Sequence, residues 1–241
     1  MERLRLYTEH ERPLTGAERD LYRELLRRRA TGEPVAYILG TRAFRGLALE
    51  VGPGVLVPRP ETELLVEWGL EVAGEGARVL DWGTGSGAIA LALATERQGS
   101  LITGVERSQE ALAFARRNAA ALGVEVELVH SDGLAGVAGR SFDLIVANPP
   151  YLTPADLQIG GPVLAHEPER ALVAGPTGLE AFERIAAEAA TALVPGGWLL
   201  VEIGAGQEGA VRGRLEAAGL VDTAVRVDLA GIVRVVGARR P

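Results

Sequence analysis

The strongest constraint on the fold of this chain is a glycine-rich turn that stands between an apolar strand and a helix. Residues 77–81 form a short, mostly apolar run that ends in Asp81, which is the pattern of a buried strand. Trp82-Gly83-Thr84-Gly85-Ser86-Gly87 follows, and helical sequence begins at Ala88. A strand, a glycine-rich turn and a helix in this order form the mononucleotide-binding half of a doubly wound sheet. The sequence therefore predicts an α/β fold with a largely parallel central sheet.

Three further strands are predicted after the turn, and each is followed by polar residues. The strand over 101–105 leads into Glu106, the strand over 124–130 into Asp132 and Gly133, and the strand over 142–147 into Asn148. Ligands of open parallel sheets lie outside the carboxyl ends of the strands. The residues expected to converge on one crevice are Asp81, Gly83, Thr84, Gly85, Ser86, Gly87, Glu106, Asp132, Gly133 and Asn148.

Two acids of this set have distinct expected partners. Asp81 would repel a pyrophosphate, so an acid at this place suits an ammonium group on the ligand better. Glu106 follows the second strand about 20 residues after the glycines, where a carboxylate accepts hydrogen bonds from ribose hydroxyls. The two acids therefore favour a ligand with a ribose and an ammonium group.

Asn148-Pro149-Pro150-Tyr151 offers hydrogen-bond acceptors beside an aromatic ring. Neither proline has an N–H to give to a neighbouring strand, so the fourth strand must end there. The Asn148 side-chain carbonyl and the Pro149 carbonyl can accept both hydrogens of a planar –NH₂ group that lies against Tyr151. Such a group belongs to an amide or to a base amine. The alternative is a strand that merely ends in an Asx-Pro turn.

The composition is that of a globular protein with an acidic excess. The 32 Asp and Glu against 25 basic residues give a formal net charge of −7, which argues against a protein that wraps nucleic-acid backbone. There is no cysteine, and His10, His130 and His166 lack ligand spacing, so no metal site is expected. The charged N-terminus has no apolar signal segment and no run is long enough to span a membrane, so the cytoplasm is the expected compartment.

The N-terminal segment is predicted to be helical and to lead into a β-hairpin. Thr15 and Glu18 have the spacing of a helix capping box. The triple arginine at 27–29 is expected to be a solvated helix end, with a contact surface for RNA or a partner as the alternative. Residues 43–57 are predicted to form a hairpin that turns at Gly52-Pro53-Gly54.

The C-terminal part is predicted to complete the sheet. The segment from Tyr151 to about Gly178 is too long for an idle loop and is expected to face the substrate. Pro195-Gly196-Gly197 is predicted to be a turn before a fifth strand over 198–203. The last two β-like runs are joined by a tight turn and must be antiparallel.

These motifs together resemble class I S-adenosylmethionine-dependent methyltransferases. A more specific set narrows this to the HemK/PrmC family, the glutamine methyltransferases of peptide-chain release factors, which the chain resembles over roughly residues 20–239. The motifs are Glu33-Pro34-x-x-Tyr37, Phe44-x-Gly46, Val57-Pro58-Arg59-Pro60-Glu61-Thr62-Glu63, Asp81-x-Gly-Thr-Gly-Ser-Gly87, Asn148-Pro-Pro-Tyr151, Glu167-Pro168, Glu202-Ile203-Gly204 with Gln207, and Asp228-x-x-Gly231-x-x-Arg234. The proline-rich block, residues 57–63, is a much more specific indicator of this family than the glycine turn.

The resemblance implies a Rossmann-like, doubly wound, mostly parallel seven-stranded sheet with an antiparallel C-terminal strand. It also implies three regions along the chain. Residues 1–40 would be a small, shortened helical region for substrate docking, residues 41–60 a linking β-hairpin, and residues 61–241 the methyltransferase domain.

The implied activity is methylation of the side-chain nitrogen of the glutamine in a release factor's Gly-Gly-Gln motif. The cofactor would be S-adenosyl-L-methionine and the product S-adenosyl-L-homocysteine. The turn 83–87 would hold the methionine part, Glu106 the ribose, and Asp132 with Gly133 the adenine. Asn148, which would also touch the cofactor, would bind the target amide together with Pro149, Pro150 and Tyr151. The implied partners are release factors, with a monomeric enzyme and no membrane, metal or stable nucleic-acid partner.

Three alternatives stay open on the sequence. A ribosomal-protein glutamine methyltransferase or an adenine-N6 nucleic-acid methyltransferase would use the same Asn-Pro-Pro-Tyr chemistry, the latter with a basic groove that is not evident. A cofactor-binding, ribosome-associated module without catalysis would fit the triple arginine and the short N-terminal region.

Overall fold

The computed structural model describes residues 5–8 and 10–241, so residues 1–4 and 9 of the predicted N-terminal region lie outside the described residues. The α-helices are α1 (Arg5–Thr8), α2 (Gly16–Ala30), α3 (Val35–Leu39), α4 (Glu63–Val72), α5 (Ala88–Glu96), α6 (Gln109–Leu122), α7 (Pro154–Ile159), α8 (Glu180–Ala192) and α9 (Glu208–Ala217). The strands are β1 (Thr41–Phe44), β2 (Leu47–Glu50), β3 (Arg78–Trp82), β4 (Leu101–Glu106), β5 (Glu127–His130), β6 (Phe142–Ala147), β7 (Leu193–Glu202), β8 (Val221–Val227) and β9 (Val233–Arg239).

A seven-stranded sheet forms the centre of the molecule, in the order β5-β4-β3-β6-β7-β9-β8. The pairs β3–β4, β3–β6, β4–β5 and β6–β7 are parallel. Strand β9 is antiparallel to both of its neighbours, β7 and β8. The strand order reverses direction beside β3, because β4 lies on one side of it and β6 on the other. This arrangement confirms the expected doubly wound sheet, and it opens a crevice at the carboxyl ends of β3 and β6.

Apolar side chains on both faces of the sheet form the core. Successive residues of a strand point to opposite faces, so Leu80 packs with Phe182 of α8 while Val79 packs with Leu65 of α4 and Leu91 of α5. All five side chains are almost completely buried. Burial of a side chain of this size contributes about 1.5–3 kcal/mol, so the sheet is held firmly between its two helical layers.

The small hairpin turns at a different place from the one predicted. Strands β1 and β2 pair from Thr41 with Glu50 to Phe44 with Leu47, and the turn between them is Arg45-Gly46. Both turn residues have positive φ, 44° and 77°, which matches the twist that a two-residue hairpin requires. The prediction that the hairpin turns at Gly52-Pro53-Gly54 was wrong, because the turn at these residues follows the second strand.

Pro195-Gly196-Gly197 is a bulge within β7, so the prediction of a turn before a separate strand was also wrong. The register of β7 against β6 shifts between the pairs Phe142–Leu193 and Leu144–Trp198. The backbone of this segment still pairs with the end of the chain, since the Gly196 amide donates to the Arg240 carbonyl at 2.9 Å. On this side β7 keeps its hydrogen bonds to the end of the chain, so the sheet accommodates the extra residues as a bulge.

Helix α2 has 15 residues and buries none of them, whereas the short helix α3 buries Ala36 and Tyr37. Thr15 and Glu18 form the predicted capping box at the start of α2, with each side chain bonded to the other's backbone amide. At the other end of α2, Arg28 pairs with Glu33 at 2.5 Å. None of the helices within residues 5–8 and 10–241 is long and apolar enough to cross a membrane.

Candidate active site

A cavity of about 320 Å³ opens at the carboxyl ends of β3, β4 and β6. Of the residues predicted to converge there, those that line the cavity are Gly83, Thr84, Gly85, Ser86, Glu106, Asp132, Gly133, Asn148, Pro149 and Pro150. Asp81, Gly87 and Tyr151 are not among the described lining residues. The structure therefore brings most of the predicted set together, and the three others are not part of the wall.

The glycine turn presents its backbone to the cavity. Gly83 and Gly85 have φ of 75° and 55°, and a Cβ placed on Gly83 would meet no heavy atom within 4 Å. The amides of Gly83 and Thr84 both donate to the Val105 carbonyl, at 2.9 and 3.0 Å. Gly87 has a packing role, because a Cβ there would lie 2.9 Å from Leu91 Cδ1. The turn is thus held by β4 and leaves room for a ligand to approach its backbone.

Asp81 lies behind the turn rather than on the cavity wall. Its Oδ2 accepts hydrogen bonds from Thr84 Oγ1 at 2.6 Å and from the Ala90 amide at 3.1 Å. Its Oδ1 is buried and has no hydrogen-bond partner among the described residues. Complete burial raises the pKa of Asp81 to about 7. Asp81 therefore ties the turn to α5 and retains one acceptor atom that the protein leaves unused.

Glu106 is fixed at the end of β4 by two backbone amides. Its Oε2 accepts from the Gly85 amide at 3.0 Å, and its Oε1 accepts from the Ser108 amide at 2.8 Å. The first bond joins the carboxylate to the glycine turn, and the second joins it to the start of α6. The carboxylate is thus oriented at the cavity, with lone pairs left to accept from further donors.

A polar network forms the wall of the cavity around Asp132. Arg184 of α8 donates through Nη1 to Asp132 Oδ1 at 2.7 Å and through Nε to Glu188 at 2.9 Å. The Trp82 indole donates to the other oxygen of Glu188 at 2.8 Å, and the Arg184 guanidinium lies 5.8 Å from a Trp82 ring centroid. A Cβ on Gly133, where φ is +62°, would lie 2.5 Å from Glu188 Oε1. Glycine at 133 therefore leaves space for the Arg184–Glu188 pair.

Asn148 is held from behind by two buried residues. Its Nδ2 donates to Thr62 Oγ1 at 3.1 Å, and Thr62 Oγ1 donates to Glu202 Oε2 at 2.6 Å. Thr62 precedes α4 and Glu202 ends β7, so the three side chains come from three parts of the chain. Within the described part of the chain, no residue donates a hydrogen bond to Asn148 Oδ1 or to the Pro149 carbonyl. Both residues line the cavity, and the described part of the chain leaves these two acceptors unused.

Tyr151 is positioned through its backbone. Its amide donates to the Leu172 carbonyl at 3.2 Å, and its carbonyl accepts from Gln207 Nε2 at 3.1 Å. Gln207 Oε1 in turn accepts from the Gly204 amide at 2.9 Å. Burial raises the pKa of the Tyr151 hydroxyl to about 12, so this group stays protonated at neutral pH.

The proline-rich block is fixed to the segment after Tyr151. Glu167 is buried and accepts from the Val57 amide at 3.0 Å and from Arg59 Nη2 at 2.5 Å. This pairing crosses 108 residues of sequence and places Pro58 and Thr62 on the cavity wall. The segment over 151–178 was expected to face the substrate, and five of its residues line the cavity: Pro168, Arg170, Ala171, Val173 and Ala174.

Three site residues were not predicted as such from the sequence: Thr62, Arg184 and Glu202. Thr62 and Glu202 stand in motifs that carry the family resemblance. They lie 140 residues apart in the sequence, and no sequence pattern shows that their side chains share a hydrogen bond. Arg184 lies on a helix whose amphipathic pattern is ordinary, and no sequence signal distinguishes it from other exposed arginines.

Comparison with known proteins assigns the chain to a family. The model of the methyltransferase small domain matches residues 60–170, and that of the PrmC N-terminal domain matches residues 1–40. The release factor glutamine methyltransferase of Geobacter sulfurreducens is 44% identical over 240 residues, which are 99% of this chain and 84% of the relative. The one of Salmonella typhimurium is 42% identical over 93% of this chain and 82% of its own length. This chain belongs to the release factor glutamine methyltransferase family.

Solved structures agree with this family fold. A methyltransferase from Pyrococcus furiosus superposes with a TM-score of 0.62 over 89% of this chain and 98% of its own, at 22% identity, which shows the fold. The 16S rRNA N2 G1207 methyltransferase of Thermus thermophilus, solved with AdoMet and guanosine, has a TM-score of 0.60 at 26% identity over 83% of this chain and 50% of its own. The expected enzyme class, methyltransferase, and the expected cofactor are confirmed by the family.

The cavity of this release factor glutamine methyltransferase family member fits S-adenosylmethionine. The exposed backbone of Gly83 and Gly85 leaves room for the cofactor, and the unused Oδ1 of Asp81 is an acceptor for a donor at the turn. The oriented Glu106 carboxylate can accept from ribose hydroxyls. Residues 5–8 and 10–241 contain no cluster of His, Cys, Asp and Glu that could hold a metal ion.

We expect the stability of this methyltransferase to depend on pH through two buried carboxylates. Burial raises the pKa of Asp81 from 3.8 to about 7 and that of Glu202 from 4.5 to about 7. The folded chain therefore holds two protons that the unfolded chain releases, so the free energy of unfolding should fall as pH rises through this interval. A tenfold difference in proton affinity between the folded and unfolded chain corresponds to about 1.4 kcal/mol, so the effect should be readily measurable. Urea unfolding at about pH 5.5 and 7.5 measures the difference.

The matched control for this prediction is the double variant Asp81→Asn, Glu202→Gln. It removes both titrating groups, so its urea midpoint should change less between the two pH values than that of the unchanged protein. Glu18 also has a shifted pKa, lowered to about 2 by Arg12 and Thr15, but it titrates below this window. A midpoint that rises with pH in the unchanged protein would contradict the prediction.

Proposed function

We propose that this chain methylates the side-chain amide nitrogen of the glutamine in the Gly-Gly-Gln motif of peptide-chain release factors, with S-adenosyl-L-methionine as methyl donor. The observation that carries the proposal is the pair of unoccupied acceptors, Asn148 Oδ1 and the Pro149 carbonyl, beside the cavity. Two acceptors are what a primary amide with two N–H donors requires. The family supports the substrate, since its members are named for it.

The residues that would hold the cofactor come from three strand ends. The turn 83–87 would receive the methionine part, Glu106 the ribose, and Asp132 with Gly133 the adenine. When bound, S-adenosylmethionine supplies an electrophilic methyl group on a sulfonium. Trp82 and Arg184 complete the wall at Asp132, so that the ligand would be enclosed on this side.

The chain's own contribution to the reaction is positioning and electrostatics. An amide nitrogen is a weak nucleophile because its lone pair is delocalised into the carbonyl. Hydrogen bonds from both N–H groups to Asn148 Oδ1 and to the Pro149 carbonyl would favour a pyramidal nitrogen and direct its lone pair. The target then loses one proton, and no residue of the described site stands out as its acceptor. Tyr151, whose hydroxyl stays protonated, would pack against the amide plane.

The exposed side chains of the N-terminal region support the proposal that a protein substrate docks there. Helix α2 buries none of its residues, and it exposes the large side chains of Leu21, Tyr22 and Leu26. Exposed apolar side chains on one helix are typical of a contact surface for a partner. The region over 1–40 is therefore proposed as the docking part, the hairpin over 41–60 as the linker and residues 61–241 as the catalytic domain. The enzyme would act as a monomer, in the cytoplasm, without a stable nucleic-acid partner.

Methyl transfer to a purified release factor tests the proposal directly. The protein is incubated with S-adenosylmethionine labelled in the methyl group and with a release factor that carries either the natural glutamine or alanine in its Gly-Gly-Gln motif. Label on the natural factor alone is the expected result. Parallel incubations replace the release factor with ribosomes or with nucleic acid. Label on a ribosomal protein or on adenine there, with none on the release factor, would instead establish one of the alternative methyltransferases, and binding of cofactor without any transfer would establish a non-catalytic module.

A further inference from the structure

A buried hydrogen-bonded chain runs from the end of β7 to the substrate side of the cavity. Glu202 is 2% exposed and Thr62 is 3% exposed. The distances are 2.6 Å from Thr62 Oγ1 to Glu202 Oε2 and 3.1 Å from Asn148 Nδ2 to Thr62 Oγ1. We propose that Glu202 is a positioning residue that, through the Thr62 hydroxyl, fixes the Asn148 amide with its Oδ1 toward the substrate. This inference rests on the proposed function for its catalytic consequence, but not for its geometry.

The number of protons shared by Glu202, Thr62 and Asn148 determines which way the Asn148 amide points. A threonine hydroxyl has one proton, and an ionised carboxylate can only accept. Thr62 must therefore give its proton to Glu202, which leaves Thr62 Oγ1 as an acceptor. Asn148 must then present its Nδ2, the donor end of the amide, to Thr62. The acceptor end, Oδ1, is turned to the cavity, where a substrate N–H can meet it.

The Thr62 hydroxyl is not used to cap a helix. Thr62 ends a short 3₁₀ helix (Pro60–Thr62) and has helical φ and ψ of −64° and −18°, so its side chain makes no capping hydrogen bond to α4. Glu202 is a nearly buried carboxylate, and Thr62 is its one hydrogen-bond donor among the described residues. A buried carboxylate with so few partners is costly to the fold, so a function at the site is the better explanation for it.

The surroundings of Glu202 raise the pKa of its carboxyl group into the neutral range. Burial has the largest effect and raises the pKa of Glu202 to about 7, and the charge of Glu61 adds to this. The hydrogen bond from Thr62 and the charges of Arg234 and Arg59 oppose the rise. Tyr151, which follows β6, is a further titratable neighbour among the described residues, and its hydroxyl stays protonated. These groups come from β9, from the proline-rich block and from the segment after β6.

Protonation of Glu202 would release the constraint on Asn148. A protonated carboxyl can donate to Thr62 Oγ1, and the Thr62 proton can then be given to Asn148 Oδ1. The amide would turn over and present its NH₂ to the substrate N–H groups, which cannot accept from it. Methyl transfer should therefore rise with pH through the pKa of Glu202. Asp81 titrates in the same range, but it bears on the cofactor turn, so its effect should appear in cofactor affinity.

Selective labelling can observe the Asn148 amide itself. Asparagine occurs only at positions 118 and 148, so protein labelled with ¹⁵N in its asparagine side chains gives two NH₂ signal pairs. Asn118 is the internal control for Asp81, because it bonds to the Glu50 backbone and to the carbonyl of Ser86 in the glycine turn that Asp81 holds. We expect the Asn148 pair to shift with a midpoint near the pKa of Glu202, about 7. That shift should vanish in Glu202→Gln, whereas any response of the Asn118 pair to Asp81 should remain in this variant.

Kinetics of three variants test the consequence for the substrate. Thr62→Val removes the hydroxyl at nearly constant shape and should lower kcat about 10- to 100-fold with little change in cofactor affinity. Thr62→Ser keeps the hydroxyl and should restore most of the activity. Glu202→Gln cannot ionise, so its rate should not rise between about pH 6 and 8.5. Thr95→Val removes a hydroxyl that bonds to the Leu91 carbonyl outside the cavity wall, and it should leave the kinetics unchanged.

The outcomes separate this inference from the proposed function. An Asn148 signal that does not respond to pH, or a Glu202→Gln variant that keeps the rise of rate with pH, would overturn the positioning role. The predicted behaviour of the Asn148 signal without methylation of any release factor would uphold the positioning role and reject the substrate. Equal activity of Thr62→Val and Thr62→Ser would also overturn the inference, because the hydroxyl would then have no part in it.

Discussion

Replacement of Asn148 by alanine is expected to lower the rate of methyl transfer to a release factor by about 10²- to 10³-fold, as removal of one preorganised hydrogen-bond group does in other enzymes. The side chain supplies one of two acceptors for the target amide, and the Pro149 carbonyl alone cannot hold both N–H groups. The loss should appear in kcat, since the apolar surfaces that would bind the release factor are unchanged. Initial rates with labelled cofactor, measured at saturating cofactor and varied release factor, determine kcat and KM separately.

The control for this variant is Gln98→Ala, which removes an exposed side-chain amide that is not part of the cavity wall. It should methylate at the normal rate. Calorimetric titration of Asn148→Ala with S-adenosylmethionine should give an affinity within a few-fold of normal, since Glu106 and the glycine turn are intact. Turnover retained in Asn148→Ala would mean that the target amide binds elsewhere.

The fold and the backbone of the cofactor side could be predicted because their signals are local. A strand, a glycine turn and a helix occupy 19 consecutive residues, from Arg78 to Glu96. The rule that ligands lie at the carboxyl ends of parallel strands then places Glu106, Asp132 and Asn148 together. Such a rule does not predict where each side chain points. Asp81 was expected to meet the ligand, but its Oδ2 bonds to Thr84 and to the start of α5.

The two errors in the sequence-based prediction concern which backbone segments pair with each other, and not the conformation that each local sequence prefers. Gly52-Pro53-Gly54 has the composition of a turn, yet the chain turns at Arg45-Gly46 because β1 and β2 pair in that register. A non-glycine residue at positive φ, Arg45, would not be expected from local preference alone. Likewise, Pro195-Gly196-Gly197 is a bulge because the end of the chain supplies hydrogen-bond partners that no local pattern can show.

Arg184 illustrates why the proposed adenine side of the cavity was the hardest part to predict. The sequence places Gly133 in the crevice only by its position after a strand, and nothing connects its lack of a side chain with any other residue. In the structure, the space above Gly133 is taken by Arg184 and Glu188 from α8, which begins 47 residues later. A cavity wall made by two distant elements emerges from packing, and sequence spacing carries no information about it.

Replacement of Glu106 by glutamine is expected to weaken S-adenosylmethionine binding by about 10- to 100-fold, which is the range for loss of a hydrogen bond to a charged group. The carboxylate accepts from two amides, of Gly85 at 3.0 Å and of Ser108 at 2.8 Å. Glutamine has one side-chain oxygen, so its NH₂ would face one of these N–H groups. The glycine turn or the start of α6 must then move, and the acceptor for the ribose hydroxyls is weakened at the same time. Isothermal titration with S-adenosylmethionine and with S-adenosylhomocysteine measures both affinities.

The matched control is Glu125→Gln, which removes the same charge at an exposed loop position that is not part of the cavity wall. Its affinity for the cofactor should equal that of the unchanged protein, so a loss confined to Glu106→Gln reports the geometry of the carboxylate and not the net charge. The loss should be similar for S-adenosylhomocysteine, because the ribose is common to both molecules and the methyl group is not near this acid in the proposed arrangement. Unchanged affinity in Glu106→Gln would show that the ribose is bound by other groups, and the proposed orientation of the cofactor along the strand ends would have to be reversed.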